Sequence, residues 1–247
     1  MRPKVGPMGR EQNLALAFNK LADILVREFN VEEYLNGLTT NCVRVLDIDA
    51  AGVLLTVDNA RLESVCATTE AARLLGVLQV TADEGPCVET ARTGQTINAS
   101  DLRSEQRWNK FTPAALNAGF AAAHAIPLRL RGQMIGALNL FRRRAGPLSR
   151  EDQALSQALA EAATAGLLSK RALEDAETLA GQLKSALTTR VVIEQAKGIL
   201  AARRGSTLDD AFEVMRSFAR NDRRLLSEIA QAVVNGSPTV TALNREH

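Results

Sequence analysis

The stretch Ala121-Ala122-Ala123-His124-Ala125-Ile126-Pro127-Leu128-Arg129, then Leu130-Arg131-Gly132-Gln133, then Met134-Ile135-Gly136-Ala137-Leu138-Asn139-Leu140-Phe141, decides the fold. Two apolar runs of strand length flank Arg131-Gly132-Gln133, which reads as a tight turn, and this is the pattern of an antiparallel hairpin. Upstream, Ala50–Val57 and Leu62–Thr68 form a second pair of short strands around the polar turn Asp58-Asn59-Ala60-Arg61. A further strand is expected at Thr96–Ile97–Asn98, after the turn Thr93-Gly94-Gln95.

Helices fill the gaps between these strands. From Glu11 to Phe29 apolar residues recur at Leu14, Ala17, Phe18, Leu21, Ala22, Leu25 and Phe29, one helix face. Further helices are expected over Val31–Val45 and Glu70–Gln79, a short one near Val88–Arg92 after Asp83-Glu84-Gly85-Pro86-Cys87, and an irregular or helical piece at Trp108–Ala118. Antiparallel strands with helices packed on them make an α+β sandwich.

Beyond the hairpin, Leu148 to Arg204 is nearly free of Gly and Pro. Leu155, Leu159, Ala162, Leu168, Leu173, Ala176, Leu179, Leu183 and Leu187 recur at spacings of a few residues, so a long helix is expected, with possible breaks at Gly166 or Gly181. Its Leu/Ala seam suits helix-mediated homodimerisation as well as packing back on the sandwich. The helix ends at Gly205. Ser206 or Thr207 caps a second helix with Asp209 and Asp210 in its first turn, Asn221-Asp222 ends that one, and a third runs over Leu225–Val234 to Asn235-Gly236. Their apolar faces are Val192, Ile193, Ala196, Ile199 and Leu200; Leu208, Ala211, Phe212, Met215 and Ala219; and Leu225, Ile229, Ala230 and Val233. Three such faces close one small bundle.

Outside that expected core, Arg190, Glu194, Lys197, Ala201 and Arg204 share a face of the first helix, with Gly198 beside Lys197. A smooth cationic face admits a phosphate backbone or a base, although exposed Lys and Arg on a helix also serve simply as solvent contacts. The charge distribution points the same way: residues 1–179 carry 20 Lys/Arg against 21 Asp/Glu, and 180–247 carry 10 against 7.

Two resemblances follow from these residues. Gly85-Pro86-Cys87, Thr93-Gly94, Asp101-Leu102 and the hairpin Ala125-Ile126-Pro127-Leu128…Gly136-Ala137-Leu138-Asn139-Leu140 resemble a bacterial sensory GAF domain over residues 12–167. The string Ile193-Glu194-Gln195-Ala196-Lys197-Gly198-Ile199-Leu200, followed by Ala211-Phe212, Arg216, Ala219 and Ile229-Ala230, resembles an ANTAR domain over residues 180–238, with a helical linker over 168–187. The ANTAR resemblance implies a transcription antiterminator, a dimer that binds paired RNA stem-loops. Carried over position by position, it implies RNA contacts at Ala196, Lys197 and Gly198, at Arg216, and at the flanking Arg190 and Arg224. The chain departs from the family's pattern at Arg220, where many members have a Met-type residue. The GAF resemblance implies a sensor of a small molecule or a protein partner. A pocket is expected between the sheet and the segment 83–120, with Gly85, Cys87, Asp101, Trp108 and His124 in its wall. The fold class expected is thus a GAF-like antiparallel sandwich, a long helix and an all-α three-helix ANTAR-like domain.

The rest of the sequence narrows the function by what it lacks. Cys42, Cys66 and Cys87 are odd in number and widely spaced, so neither a disulfide framework nor a zinc site is indicated, and a reducing cytoplasm fits. No signal-peptide core and no run of about 18 apolar residues occurs. The histidines are His124 and the terminal His247, which removes a histidine metal cluster; no phosphate-cradling or dinucleotide glycine motif is present; and Asn109-Lys110-Phe111 is contiguous where a cyclic-nucleotide signature is dispersed. A Cys87/His124 nucleophile pair is disfavoured, because a cysteine after Gly-Pro is more often a small buried residue. No catalytic residue, metal or cofactor is expected. Three readings stay open: an RNA-binding regulator, a DNA-binding regulator using the last two helices as a helix-turn-helix, and an enzyme accessory or pure dimerisation adaptor.

Overall fold

The structure is a computed structural model that describes residues 30–57, 61–238, 240 and 243. The helix expected over Glu11–Phe29, most of the turn at Asp58-Asn59-Ala60 and His247 lie outside the described residues. The described chain forms two compact units, divided between Ala172 and Leu173.

In chain order the first unit contains α1 (Val31–Val45), β1 (Ala50–Val57), β2 (Arg61–Ala67), α2 (Glu70–Ala82), α3 (Pro86–Thr93), β3 (Ile97–Ala99), α4 (Phe111–Asn117), β4 (Ala122–Leu130), β5 (Gln133–Arg142) and the first part of α5 (Arg150–Arg204). The five strands form one antiparallel sheet in the order β2-β1-β5-β4-β3. The β4–β5 turn is tighter than expected. Arg131 and Gly132 alone form it, with φ of 51° and 86°, and Gln133 already pairs with Leu130. Positive φ at both central residues gives a mirror-image turn whose twist matches the flanking strands.

Each sheet face has its own cover. Val53, Leu55, Ile126, Leu128, Leu138 and Leu140 pack against Tyr34, Leu35 and Leu38 of α1 and Leu155, Leu159 and Leu167 of α5. The opposite face is lined by small residues: Ala50, Ala99 and Ala123 lie under Leu75, Leu102, Trp108 and Phe111, while Ala125 and Ala137 lie beside Leu54 and Cys87. Large side chains from α2, α4 and the loops therefore fill space that the strands leave free.

Local signals place the helices. Asn30 caps α1 by accepting from the Glu32 amide at 2.7 Å, and Thr69 caps α2. Helix α4 lacks a cap of its own; the Glu84 carboxylate accepts from the Lys110 and Phe111 amides, placing negative charge at the positive end of the helix.

Helix α5 runs unbroken for 55 residues, so the breaks expected at Gly166 and Gly181 do not occur. Both glycines keep their amide donors, and only proline removes one. Gly166 has a packing reason: a Cβ there would sit 2.4 Å from Tyr34 Oη.

The second unit holds the rest of α5 with α6 (Leu208–Asn221) and α7 (Leu226–Val234). Gly205 ends α5 with φ of 65°, and Thr207 starts α6 through a reciprocal capping box with Asp210. Ala196, Leu200, Ala201, Ala211, Met215, Ala219, Ile229, Ala230 and Val233 form its core with Val240 and Leu243. Leu208 and Leu225, expected in this core, are 52% and 67% exposed; each sits at a helix start, before its face turns inward.

Candidate ligand cleft and nucleic-acid interface

The residues expected around a pocket in the first unit each have their own local contacts. Gly85 is buried at φ 121°, and the space a Cβ would take is filled by Gln79, 2.5 Å away at Cγ. Gln79 Oε1 accepts the Cys87 amide at 2.9 Å, so Gly-Pro-Cys is a structural turn in which Gln79 replaces a missing helix cap. Burial raises the Cys87 thiol well above its usual range, which keeps it protonated and unreactive. Asp101 accepts the Arg103 amide at 3.0 Å and shapes a loop turn. Trp108 is 4% exposed, edge-on to Phe111 at 5.6 Å, with the Arg107 guanidinium 4.5 Å from its ring centre.

His124 is placed on the other side. It shares the strand face of Ile126 and Leu128, which pack under α1 and α5, whereas Ala123 and Ala125 face α2, α3 and α4. His124 therefore does not line a pocket between the sheet and segment 83–120. Its Nδ1 lies 2.9 Å from Asn98 Oδ1, and burial, followed by the nearby Arg142 charge, lowers its pKa from 6.5 to about 4.

A cleft of about 500 Å³ does open on the α2/α3 side of the sheet, lined by none of those five residues. Thr56, Leu62 and Met134 come from β1, β2 and β5; Val80 and Asp83 from α2 and its C-cap; Val88, Ala91 and Arg92 from α3; and Arg61 opens β2. Leu62 and Val80 rest on the small cluster of Leu54, Cys87, Ala125 and Ala137. Arg61 pairs with Glu63, and Arg92 with Asp83. In the sequence, Arg61 and Arg92 read as ordinary polar positions at element ends. Among the described residues no cluster of three His, Cys, Asp or Glu could hold a metal ion, and no helix is long and apolar enough to cross a membrane.

The second unit sorts the expected nucleic-acid contacts. Arg190 is exposed and forms no ion pair among the described residues. Ala196 is fully buried in the three-helix core, so it is a packing residue and presents no surface to a base. Ala201 is likewise buried, contrary to the face expected for it. The Lys197 side chain is only 16% exposed; its ammonium lies 3.0 Å from Glu194 Oε2 and 5.7 Å from the Phe212 ring centre. Gly198 is exposed, with nothing within 4 Å of where a Cβ would be. Arg204 donates to the Leu243 carbonyl at 2.8 Å and serves the fold. Arg216 and Arg224 are loosely paired at 3.4 Å with Glu213 and Glu228.

Two further cations emerge at the end of α6. Arg220 and Arg223 are exposed and form no ion pair among the described residues. Arg223 has φ of 53°, and the turn is held by Arg223 N–H to Arg220 O at 3.2 Å and Arg224 N–H to Ala219 O at 2.9 Å. The run Asn221-Asp222-Arg223-Arg224 hinted at this, but its positive-φ turn is not visible in periodicity.

An antiparallel α+β sandwich with a cleft, followed by a helical unit with exposed arginines, defines a two-module chain. The GAF-domain family model matches residues 30–167, more than half of the chain, so the chain belongs to the GAF-domain family; the ANTAR-domain model matches residues 181–234. GAF is a small-molecule-sensing domain and ANTAR an RNA-binding antitermination domain; both are regulatory. Similar solved structures include the GAF domain of a phosphoenolpyruvate-protein phosphotransferase from Coxiella burnetii, at 16% identity and TM-score 0.52, covering 68% of this chain and 99% of that one. The corresponding domain from Acinetobacter is 9% identical, with TM-score 0.53 and coverages of 66% and 97%. Free methionine-R-sulfoxide reductase from Neisseria meningitidis, 13% identical with TM-score 0.51, covers 68% and 96%. These likenesses show the fold alone. No curated protein matches the chain.

Proposed function

We propose that the chain is a cytoplasmic transcription antitermination regulator: its C-terminal unit binds RNA stem-loops as a homodimer, and its GAF domain sets that activity in response to a small molecule or a protein partner. The observation that carries the reading is the ANTAR match over residues 181–234, and exposed arginines in the same unit offer cations of the kind RNA binding needs. Arg190, Arg216, Arg220, Arg223 and Arg224 supply phosphate contacts, and the open surface over Gly198 admits a loop base. Lys197 contributes after exchanging Glu194 for a phosphate, and Ala196 contributes through helix packing.

Dimerisation has its own support. Every residue from 171 to 188 is exposed in the single chain, including Leu173, Leu179, Leu183 and Leu187. Leu173, Ala176, Ala180, Leu183 and Leu187 follow alternating spacings of three and four, the seam that a parallel partner helix covers.

The DNA-binding alternative makes α7 a recognition helix. Its nine residues, Leu-Ser-Glu-Ile-Ala-Gln-Ala-Val-Val, carry a single charge, and that charge is negative. Such a helix suits a core face better than the major groove. Binding of the full chain to a tandem-hairpin RNA and to a duplex DNA of equal length, measured side by side at physiological salt, tests the proposal. Tighter binding to the RNA is expected; tighter binding to the duplex DNA overturns it.

A further inference from the structure

Lys197 is held from two sides. Its ammonium lies 3.2 Å and 3.0 Å from the two carboxylate oxygens of Glu194, one turn back on α5, and 5.7 Å from the ring centre of Phe212 on α6. The Lys197 side chain is 16% exposed, against 54% for Arg216 and 37% for Arg224, whose contacts with Glu213 and Glu228 are longer, at 3.4 Å.

An exposed lysine–glutamate pair on a helix is ordinarily weak, because the lysine gives up the freedom of a long stem and water screens the charges. At Lys197 packing has already ordered the stem and drawn it out of water, and the face of an aromatic ring adds attraction for the ammonium. Glu194 itself is 55% exposed, so its place beside the ammonium is open to another oxyanion from solvent.

We propose that Glu194 is an intramolecular competitor of RNA phosphate at Lys197, and that Phe212 is the positioning residue that seats the ammonium beside it. The inference rests on reading the second unit as RNA-binding and adds what limits its affinity. A phosphate oxygen offers Lys197 the same kind of charge-assisted hydrogen bond as the carboxylate it displaces, so in the wild type the exchange yields little net affinity. Without the Glu194 charge, the phosphate contact is gained and no contact is lost.

Salt titrations of tandem-hairpin RNA binding by the full chain test this in wild type, Glu194→Gln, Lys197→Gln and the double variant. Glu194→Gln should steepen the slope of log K against log salt by about 0.7–0.9, which is about four- to sixfold tighter binding at about 0.15 M salt. Lys197→Gln should remove that whole increment in the Glu194→Gln background and less than half as much in the wild type. Phe212→Leu should bring these two Lys197→Gln effects together, and Phe212→Tyr, which keeps the ring, should leave them apart. Circular dichroism melts of the variants separate loss of binding from loss of fold. Lysine acetylation of the RNA-free protein, read by mass spectrometry, supplies the second measurement: Glu194→Gln should raise the rate at Lys197 severalfold and leave Lys184, exposed on the same helix, unchanged. Equal Lys197→Gln effects in both backgrounds, with hairpin RNA still bound, or an unchanged acetylation rate at Lys197 overturns the proposal alone. A Lys197 rate that responds in a chain binding no hairpin RNA overturns the competition together with the RNA reading.

Discussion

Acidification from pH 7 to pH 4 should destabilise the first unit through His124. The residue is fully buried, and its pKa falls from 6.5 to about 4, first from burial and second from the Arg142 charge. The folded state therefore disfavours the protonated imidazole that the unfolded chain accepts. Above pH 6.5 both states are neutral at this site and it contributes no pH dependence. Between 6.5 and about 4 the unfolded state binds more protons, so stability falls with pH, and below about 4 the loss levels off. The full displacement corresponds to about 3 kcal/mol. Urea unfolding followed by the fluorescence of Trp108, the single tryptophan in the chain, reports this unit directly. Carboxylates held by arginine, such as Glu105 beside Arg107, add their own loss at lower pH, so the informative quantity is the difference between wild type and His124→Gln. The variant should lose about 3 kcal/mol less than wild type across this window. Parallel pH curves for the two proteins would show that the buried imidazole does not behave as described.

Three further outcomes follow from the packing. Gly166→Ala should cost about 1–3 kcal/mol in urea unfolding despite the roughly 1 kcal/mol gain in helix propensity, because the new methyl meets Tyr34 Oη at 2.4 Å; a more stable variant would show that α1 and α5 are not so closely packed. Thr207→Ala should remove about 1 kcal/mol from the second unit, read by helical signal on melting, while Ser206→Ala should not, since the capping box belongs to Thr207. The thiols of Cys42 and Cys66, raised by burial to about 12 and about 11, should react with Ellman's reagent only after unfolding, as should Cys87; a fast native thiol contradicts their burial.

Much of the architecture was legible because its signals are local. Helix α1 and strand β1 have the bounds their apolar spacing predicts, and Gly205, Thr207 and Gly236 punctuate the last helices through caps and positive φ. The phase of β4 was not legible. In Ala-Ala-Ala-His-Ala-Ile-Pro-Leu there is no polar alternation, so nothing in the run says which face His124 takes. Ala201 misled for a related reason: a helix in a three-helix unit buries a wide face, and a small residue inside a close helix contact looks like one on a smooth surface. The cleft was invisible because its walls come from the ends of five elements, and no spacing rule links Thr56 to Arg92 or Met134.

The measurement closest to the central claim is the salt dependence of binding between the full chain and a tandem-hairpin RNA. Each phosphate contact removed lowers the slope of log K against log salt by about 0.7–0.9. Arg220→Gln and Arg223→Gln, whose cations are exposed and form no ion pair among the described residues, should each lower the slope by about that amount. Lys197→Gln should change it less, because Glu194 already neutralises the ammonium at 3.0 Å. Unchanged slopes in both arginine variants, with wild-type affinity for the hairpins, would contradict the account.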